Sequence, residues 1–353
     1  MSAEVQNYSI AFLSTLLVSG AICWLAHQRN QTDCDILVGP QKIHEGAVPR
    51  VGGMAVMIGV FVSLVLFRNV SISLFGLLFI AVTPVFFAGI VEDFTGSVSA
   101  RLRLLISLFS GCIFCWITGY QITSVGIDAF RFLLSVPVFS FLMTSLAVGA
   151  MANGLNIVDG LNGLASTTTV LMMTSFGILS GQLGDFELQV ICFSIVSVCL
   201  GFLIWNFPFG KIFLGDGGAY CLGALVAGIA VLLPERNDQI SPFSSLLIII
   251  YPFYELVRST VRRIVVAGYQ AFEADDEHLH SLIYRFISSR VLIAKPIQNS
   301  LASAVVLILP LLCCFWAVMF ANQRSLLVSG VFAFVLLYEI AMASVLFMNS
   351  KNS

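Results

Sequence analysis

Charged residues are scarce in this sequence. Asp, Glu, Lys and Arg make up 10% of the 353 residues, against about 25% in a typical soluble domain. Hydrophobic residues make up 58%, and the mean hydropathy is +0.98. The scarcity of charge excludes an ordinary soluble domain, and no acidic or basic tract points to a nucleic-acid partner. A polytopic membrane protein remains, with the lipid bilayer as its solvent.

Histidine is also rare, and the nine cysteines are poorly placed for disulfides. All except Cys34 fall in apolar runs, which favours free thiols that act as small hydrophobic residues. Cys112 and Cys115 form a CxxC inside an apolar run with no histidine nearby, so the pair does not indicate a metal or redox site. The sequence has no internal repeat and no low-complexity linker, which favours a single membrane domain over residues 1–353.

Long apolar runs predict an all-α fold with about eleven transmembrane helices. A helical span needs about 20 apolar residues. The apolar N-terminal run is interpreted as a retained first span rather than a signal peptide, because the loops then alternate consistently. Pro84 and Pro137 predict kinks in the third and fifth spans. The predicted spans cover residues 10–26, 51–67, 71–91, 104–120, 132–150, 161–180, 188–205, 219–233, 243–257, 297–320 and 326–348.

The distribution of Lys and Arg predicts the orientation. The side that carries Arg29 to Arg50 holds 13 of the 17 Lys and Arg residues, and the other side holds 4. Positive charge accumulates in cytoplasmic loops, so the N-terminus is predicted to be periplasmic and the C-terminus cytoplasmic. All four histidines and every polar cluster described below then lie on the cytoplasmic face, where we expect the active site.

The most unusual stretch is residues 153–163, which contains three Asn, one Asp and three Gly between two apolar runs. Polar groups beside lipid are costly unless they face water, a partner or a ligand. Asn153, Asn156 and Asp159 offer oxygen ligands and amide donors that suit a cation and a phosphate. Gly160 allows close backbone approach. A capped turn between two helices is the alternative, although it needs only one or two such residues.

Two acidic clusters accompany this stretch. Glu92 and Asp93 are adjacent at the end of the third span, and a divalent cation or a shared proton would relieve their repulsion. Asp216 lies among glycines before the eighth span, which is typical of a ligand to a metal and phosphate. Phe213, three residues earlier, is suited to stacking on a base. Water-exposed acids at a helix end and a plain turn are the respective alternatives.

Two basic clusters complete the set. One precedes a Gly-Gly pair at the second span and is suited to an anionic ligand, with ordinary positive-inside anchoring as the alternative. The other contains a His-x-His pattern, which can bind a metal directly or contact phosphate and sugar. No cysteine or third histidine accompanies it, so a closed zinc site is not indicated. The residues concerned are Lys42, His44 and Arg50 in the first cluster, and His278, His280 and Arg285 in the second.

Taken in order, the patterns HxxxxPRxGG, an acidic pair, NxxNxxDGxxGLA, FxGDxG and HLH over residues 44–280 resemble the polyprenyl-phosphate N-acetylhexosamine-1-phosphate transferases of glycosyltransferase family 4. The HLH form and the number of spans resemble the O-antigen and enterobacterial common antigen branch. The resemblance implies a multi-pass protein of the bacterial inner membrane. In that family undecaprenyl phosphate attacks a UDP-N-acetylsugar such as UDP-GlcNAc, and UMP leaves, which begins lipid-linked cell-surface polysaccharide synthesis.

The resemblance also implies a role for each site residue. It implies Mg²⁺, or Mn²⁺ in its place, on Asp216 with Asn156, and uracil stacked on Phe213. Asp93 and Glu92 are implied to lie beside the acceptor phosphate, and Asp159, Asn153 and Gly160 beside the nucleotide. His278, His280 and Arg285 are implied to contact the diphosphate and sugar. The residues implied at the ligand entrance are Lys42, His44 and Arg50. A homodimer is left open.

Two departures from the family pattern affect these expectations. Glu92 stands where the family has an Asp, so its carboxylate reaches one methylene further, and Ser281 stands where a further histidine is usual. Two other classes of protein fit the sequence less well. A transporter of a polar or anionic solute would carry midspan charges and inverted repeats, and the spans are nearly bare of charge. A CDP-dependent phosphotransferase would carry an Asp-rich helix, which the sequence lacks.

Overall fold

The computed structural model describes residues 3–28, 48–266 and 277–350. Within these residues the protein is helical and contains no β-strand. A short 3₁₀ turn over Asp128–Phe130 precedes α5. The helices are α1 Ala3–Gln28, α2 Gly52–Leu66, α3 Arg68–Thr95, α4 Ala100–Thr118, α5 Arg131–Leu134, α6 Pro137–Val158, α7 Leu164–Gln182, α8 Phe186–Asn206, α9 Gly215–Arg236, α10 Pro242–Val266, α11 Leu279–Ser288, α12 Lys295–Val306, α13 Ile308–Met319 and α14 Arg324–Ser350.

Each of the eleven predicted spans falls on one or two of these helices. In the described ranges, nine helical segments are long and apolar enough to cross a bilayer, and α12 and α13 together form one of them. The other two predicted spans correspond to α2, which has 15 residues, and to α10. The prediction of an all-α polytopic membrane protein is confirmed, while the number of crossings and their orientation stay predictions.

Two details of the predicted spans differ in the structure. Pro137 does not kink a helix, because it occupies the first turn of α6, where its missing N–H would have no intrahelical partner anyway. The predicted kink there is wrong. The tenth span is divided near Leu307 into α12 and α13.

The central helix of the bundle is α9. In the apolar 18-residue stretch of α9, 94% of the residues are buried, against 17% in that of α1 and 22% in that of α14. Small residues let neighbouring helices approach α9 closely. A Cβ added at Gly89 of α3 would lie 2.4 Å from the backbone nitrogen of Gly217, and one at Gly53 of α2 would lie 2.3 Å from that of Gly218. The polar ends of α2 and α3 therefore meet at the start of α9.

Candidate active site at the start of α9

Asp93 holds the first turn of α9 from outside that helix. Its Oδ1 accepts the backbone N–H of Asp216 at 2.8 Å, and its Oδ2 accepts that of Gly217 at 2.9 Å. The first N–H groups of a helix have no intrahelical partner and carry partial positive charge. Leu214, at the N-cap position, supplies no side-chain cap. The last turn of α3 therefore caps α9 and fixes the direction of the Asp216 side chain.

The segment before α2 pairs with the segment before α9. Phe213 donates its N–H to the Pro49 carbonyl at 2.9 Å, and its own carbonyl accepts the N–H of Gly52 at 2.9 Å. Gly215 has a φ of +75°, and a Cβ there would lie 2.0 Å from the Arg50 carbonyl oxygen and 2.6 Å from Oδ2 of Asp93. Only glycine fits this left-handed position without strain. These contacts bring Arg50 to the acidic cluster.

Two further helices, α6 and α4, reach the Asp216 carboxylate. Asn156 of α6 donates from Nδ2 to Oδ1 of Asp216 at 3.0 Å, and Arg103 of α4 donates to Oδ2. Nη1 of the same arginine lies 3.2 Å from Oε1 of Glu92 on α3. The side chains of Asp216, Glu92 and Arg103 are 13, 20 and 21% exposed. One guanidinium thus bridges two carboxylates that would otherwise repel each other.

Asp159 follows the last residue of α6 and completes the acidic group. It is partly buried, and desolvation raises the pKa of its carboxyl well above 3.8. The charges of Asp216 and Asp93 act in the same direction, whereas Arg50 and the backbone N–H of Gly215 lower the pKa of Asp159. Four acids face two arginines in this part of the described structure, and such an excess of negative charge favours a bound cation.

The turn that contains Asp159 is tied to its neighbours by two buried side-chain amides, those of Asn299 and Asn206. Asn299 of α12 accepts the N–H of Asn162 at 2.6 Å, and Asn206 accepts the N–H of Gly163 at 2.6 Å. Nδ2 of Asn206 donates to the Ile212 carbonyl at 2.7 Å. Buried polar groups of this kind make a structure specific because each requires its partner. The turn after α6 is therefore fixed against the loop that leads into α9.

Not every predicted site residue contacts the acidic cluster directly. Asn153 lies one turn before Asn156, and its Nδ2 donates to Ser107 Oγ at 2.9 Å and to the Gly149 carbonyl at 2.7 Å. Its amide therefore joins α6 to α4. The ring of Phe213 is partly buried, and Arg285 is exposed on α11. Lys42 and His44 lie outside the described residues. The predicted ligand contacts of all these residues stay predictions.

The His-x-His pattern lies against the turn after α6. A Cβ added at Gly160 would lie 2.4 Å from Nε2 of His280, so only a residue without a side chain allows this contact. The rings of His278 and His280 are parallel, with centroids 5.5 Å apart. Nδ1 of His278 lies 3.1 Å from Oε2 of Glu255. Burial lowers the pKa of His280 to about 4, so its imidazole is neutral near pH 7.

The acidic cluster fits a magnesium ion by its donor chemistry. Mg²⁺ prefers oxygen ligands and is usually held by one or two carboxylates together with water and substrate phosphates. Asp216 and Glu92 supply two carboxylates that one guanidinium, that of Arg103, already bridges. Within the described ranges no group of three or more His, Cys, Asp or Glu residues is placed to hold a metal ion by itself, so water and substrate phosphates would have to supply the remaining ligands.

Sequence reasoning missed three residues of the site. The sequence indicates no site role for Arg103, which follows the acidic pair Glu92 and Asp93, because its contact with Asp216 joins residues 113 positions apart. Asn299 lies inside a predicted span, and Glu255 lies near the end of another. A buried acid or amide within an apolar run is the signal that could have identified the last two.

Fold and site together define a class of protein: a polytopic helical membrane protein whose acids, amides and arginines converge at one end of the bundle. The profile described as "Glycosyl transferase family 4" matches residues 74–234, which include Glu92, Asp93, Asn156, Asp159 and Asp216. The chain belongs to this family, as the Thermotoga maritima relative described below shows. It is a multi-pass protein of the bacterial inner membrane.

Several named bacterial proteins are similar to this chain. An undecaprenyl-phosphate alpha-N-acetylglucosaminyl 1-phosphate transferase of Thermotoga maritima is 32% identical over 249 residues, which cover 70% of this chain and 72% of the relative. The protein of the same name from Yersinia pestis is 28% identical over 250 residues, covering 69% and 68%. A phospho-N-acetylmuramoyl-pentapeptide-transferase of Streptococcus pyogenes is 26% identical over 220 residues, covering 56% and 66%.

Proposed function

We propose that this protein transfers N-acetylhexosamine-1-phosphate from a UDP-N-acetylsugar to undecaprenyl phosphate and releases UMP. The donor is UDP-GlcNAc or a related UDP-N-acetyl-deoxysugar, and the product begins a lipid-linked cell-surface polysaccharide of the O-antigen type. The main observation in support is the convergence of Glu92, Asp93, Asn156 and Asp216 at one end of a membrane bundle. The names of the relatives from Thermotoga maritima and Yersinia pestis support the same reaction.

The reaction exchanges one phosphoanhydride for another. An oxygen of the acceptor phosphate attacks the β-phosphorus of the donor, the bond from that phosphorus to the oxygen of the α-phosphate breaks, and UMP leaves with the electron pair. The second pKa of a phosphate monoester is about 6, so the acceptor is already largely dianionic near pH 7. Catalysis therefore consists of charge neutralisation and in-line positioning rather than of strong general-base chemistry.

Mg²⁺ held by Asp216, with the amide oxygen of Asn156 as the companion ligand and the Glu92 carboxylate nearby, would neutralise charge on the donor diphosphate. Asn156 holds Asp216 in place through its amide, and Arg103 keeps the two carboxylates together before the ligand arrives. Asp93, whose two oxygens accept backbone N–H groups, orients Asp216 next to the acceptor phosphate. Asp159 retains a proton more readily than an ordinary aspartate does.

The remaining residues surround the substrates. Arg50 is positioned by its backbone at the acidic cluster and pairs with an anionic oxygen, and Phe213 stacks on uracil. The other proposed contacts are Gly160 and Asn153 with the nucleotide, His278, His280 and Arg285 with the diphosphate and sugar, and Lys42 and His44 at the entrance. We treat residues 1–353 as one membrane domain. No observation favours the transporter alternative, since the relatives named above are transferases.

The proposal is tested with purified protein in detergent and labelled donors. UDP-GlcNAc, UDP-GalNAc and UDP-N-acetyl-deoxysugars are supplied one at a time with undecaprenyl phosphate and Mg²⁺. We expect UMP and a lipid-linked product in equal amounts from at least one donor, and no UMP when the lipid is omitted. UMP release that does not depend on the lipid, or the absence of any product with the whole panel, contradicts the proposal.

A further inference from the structure

A buried acid lies behind the histidine pair. Glu255, on α10, is 1% exposed. Two fully buried tyrosines, Tyr251 of α10 and Tyr338 of α14, lie close enough to couple electrostatically with its carboxylate. A carboxylate is costly to bury unless it is paired. The only pairing partner that the described structure gives Glu255 within salt-bridge distance is His278.

The pairing reaches the carboxylate cluster through a continuous chain of contacts. Oε2 of Glu255 lies 3.1 Å from Nδ1 of His278, and the ring of His278 stacks on that of His280. His280 in turn abuts Gly160, which directly follows Asp159. This chain of contacts connects Glu255 to the turn that borders the acidic cluster.

The chemistry of a carboxylate beside an imidazole is specific. A carboxylate that accepts from Nδ1–H fixes the tautomer and the orientation of the ring, and it leaves Nε2 as the edge available to a ligand. His278 precedes the first residue of α11 and caps it without a side-chain hydrogen bond. Its ring therefore makes no capping hydrogen bond to α11 and contacts that helix through the stacked ring of His280, while Glu255 supplies the polar contact that orients it.

A neighbouring acid, Glu339, forms an ion pair of the ordinary structural kind and serves as a comparison. Glu339 of α14 accepts from Arg258 and from Tyr254, both at 2.9 Å, and its side chain is 44% exposed. Both of its partners are permanent donors at neutral pH. Glu255 differs because it is buried and because its partner is a histidine in the predicted diphosphate region.

We propose that Glu255 is a positioning residue for the donor substrate, which holds the His278 ring through Nδ1 so that its Nε2 edge faces the diphosphate and sugar of the UDP-sugar. The inference rests on the proposed transferase function. It predicts that Glu255 affects the kinetics of the donor and has no effect of its own on the kinetics of the lipid acceptor.

The test compares Glu255→Gln, His278→Asn and the double variant, with Glu339→Gln as a matched control on the adjacent helix. The KM for donor and acceptor, kcat and the melting temperature are measured for each purified protein. We expect Glu255→Gln to lower kcat/KM for the donor by about tenfold or more, with the KM for the acceptor changed by less than about twofold. The double variant should be no worse than His278→Asn alone, and Glu339→Gln should retain near-normal kinetics.

Three outcomes overturn the inference. They are wild-type kinetics in Glu255→Gln, KM values that rise equally for donor and acceptor, and losses of kcat/KM that add up in the double variant. If Glu255→Gln does not fold, Glu255→Asp retains the charge but withdraws it by one methylene. It should then show the same donor-selective loss, and a uniform loss counts against the proposal. A wild-type protein that releases no UMP refutes the transferase function instead, so the two failures are distinguishable.

Discussion

Asp93 and Asp216 are joined through the backbone: the N–H of Asp216 donates to Oδ1 of Asp93 at 2.8 Å. Since Oδ2 accepts the N–H of Gly217, both oxygens of Asp93 are committed to the first turn of α9. The acid that precedes the loop between α3 and α4 therefore determines where the acid of α9 points. A role for Asp93 in positioning Asp216 follows directly from this geometry.

Replacing Asp93 with Asn tests that role. The amide NH₂ would face a backbone N–H donor, so one hydrogen bond is lost at a cost of about 1–3 kcal/mol, and Asp216 is no longer fixed. We expect a lower melting temperature together with a large loss of kcat. The matched control is Glu235→Gln, because Glu235 also accepts two donors, the N–H and Oγ of Thr123, both at 2.8 Å. Asp93→Asn with normal turnover would rule the positioning role out.

Arg103 is predicted to be essential because it bridges Glu92 and Asp216. Arg103→Ala leaves two carboxylates unpaired and removes a cation that can pair with phosphate, so kcat should fall by about 10²-fold or more. Arg103→Lys keeps the charge but not the fork geometry and should be intermediate. Arg324→Ala, at the start of α14, is the control. The initial rate of UMP release is measured for each variant, and equal rates for all variants contradict the prediction.

Gly160→Ala tests the contact between the turn and the histidine pair. The added Cβ would lie 2.4 Å from Nε2 of His280, so the ring must move. We expect the KM for the UDP-sugar to rise or kcat to fall by about tenfold or more. Gly76→Ala serves as the control, because its Cβ would meet only Leu64 at 3.9 Å. Identical donor kinetics in the two variants would show that this contact is not used.

Asp159 gives a prediction about pH and stability. Its pKa is raised in the folded state, chiefly by desolvation, so the folded state binds this proton more tightly than the unfolded state does. The contribution of Asp159 to stability therefore falls as pH rises from about 3.9, the unfolded value, through the raised folded pKa. Asp159→Asn removes this penalty. The variant should melt at a higher temperature than the wild type at pH 7.5, and the difference should shrink toward pH 4.

A difference in melting temperature that is independent of pH, or a variant that is less stable at pH 7.5, contradicts that prediction. Activity is a separate readout. Loss of the carboxylate beside Arg50 should lower turnover even where stability improves, as is common when an acid is retained for function rather than for folding.

The sequence predicts the helices well and their mutual contacts poorly, for physical reasons. Long apolar runs reveal helices directly, because a bilayer imposes their length and composition. The position of Pro137 at a helix start depends on where the preceding turn ends, which composition does not determine. The clusters around Asp93, Asn156 and Asp216 could be predicted as polar interruptions of apolar runs, and the structure brings them together.

The partners within the site were harder to predict. Arg103 could have been paired with any acid on the same face, and only the packing of α4 against α3 brings it to Asp216. Glu255 and His278 are 23 positions apart, and part of the intervening stretch lies outside the described residues. Such pairings depend on which helices are neighbours, and a single sequence does not carry that information.

The central claim is that the Asp216 carboxylate at the start of α9 is required for phospho-sugar transfer. The most direct measurement is UMP release from the active UDP-N-acetylsugar by purified Asp216→Asn, with Asp185→Asn as the control. Asp185 pairs with Arg236 at 2.8 Å and has no part in the proposed site. We predict that Asp216→Asn stays folded and loses at least about 10²-fold in kcat, while Asp185→Asn remains active. Near-normal turnover by a folded Asp216→Asn protein would contradict the account.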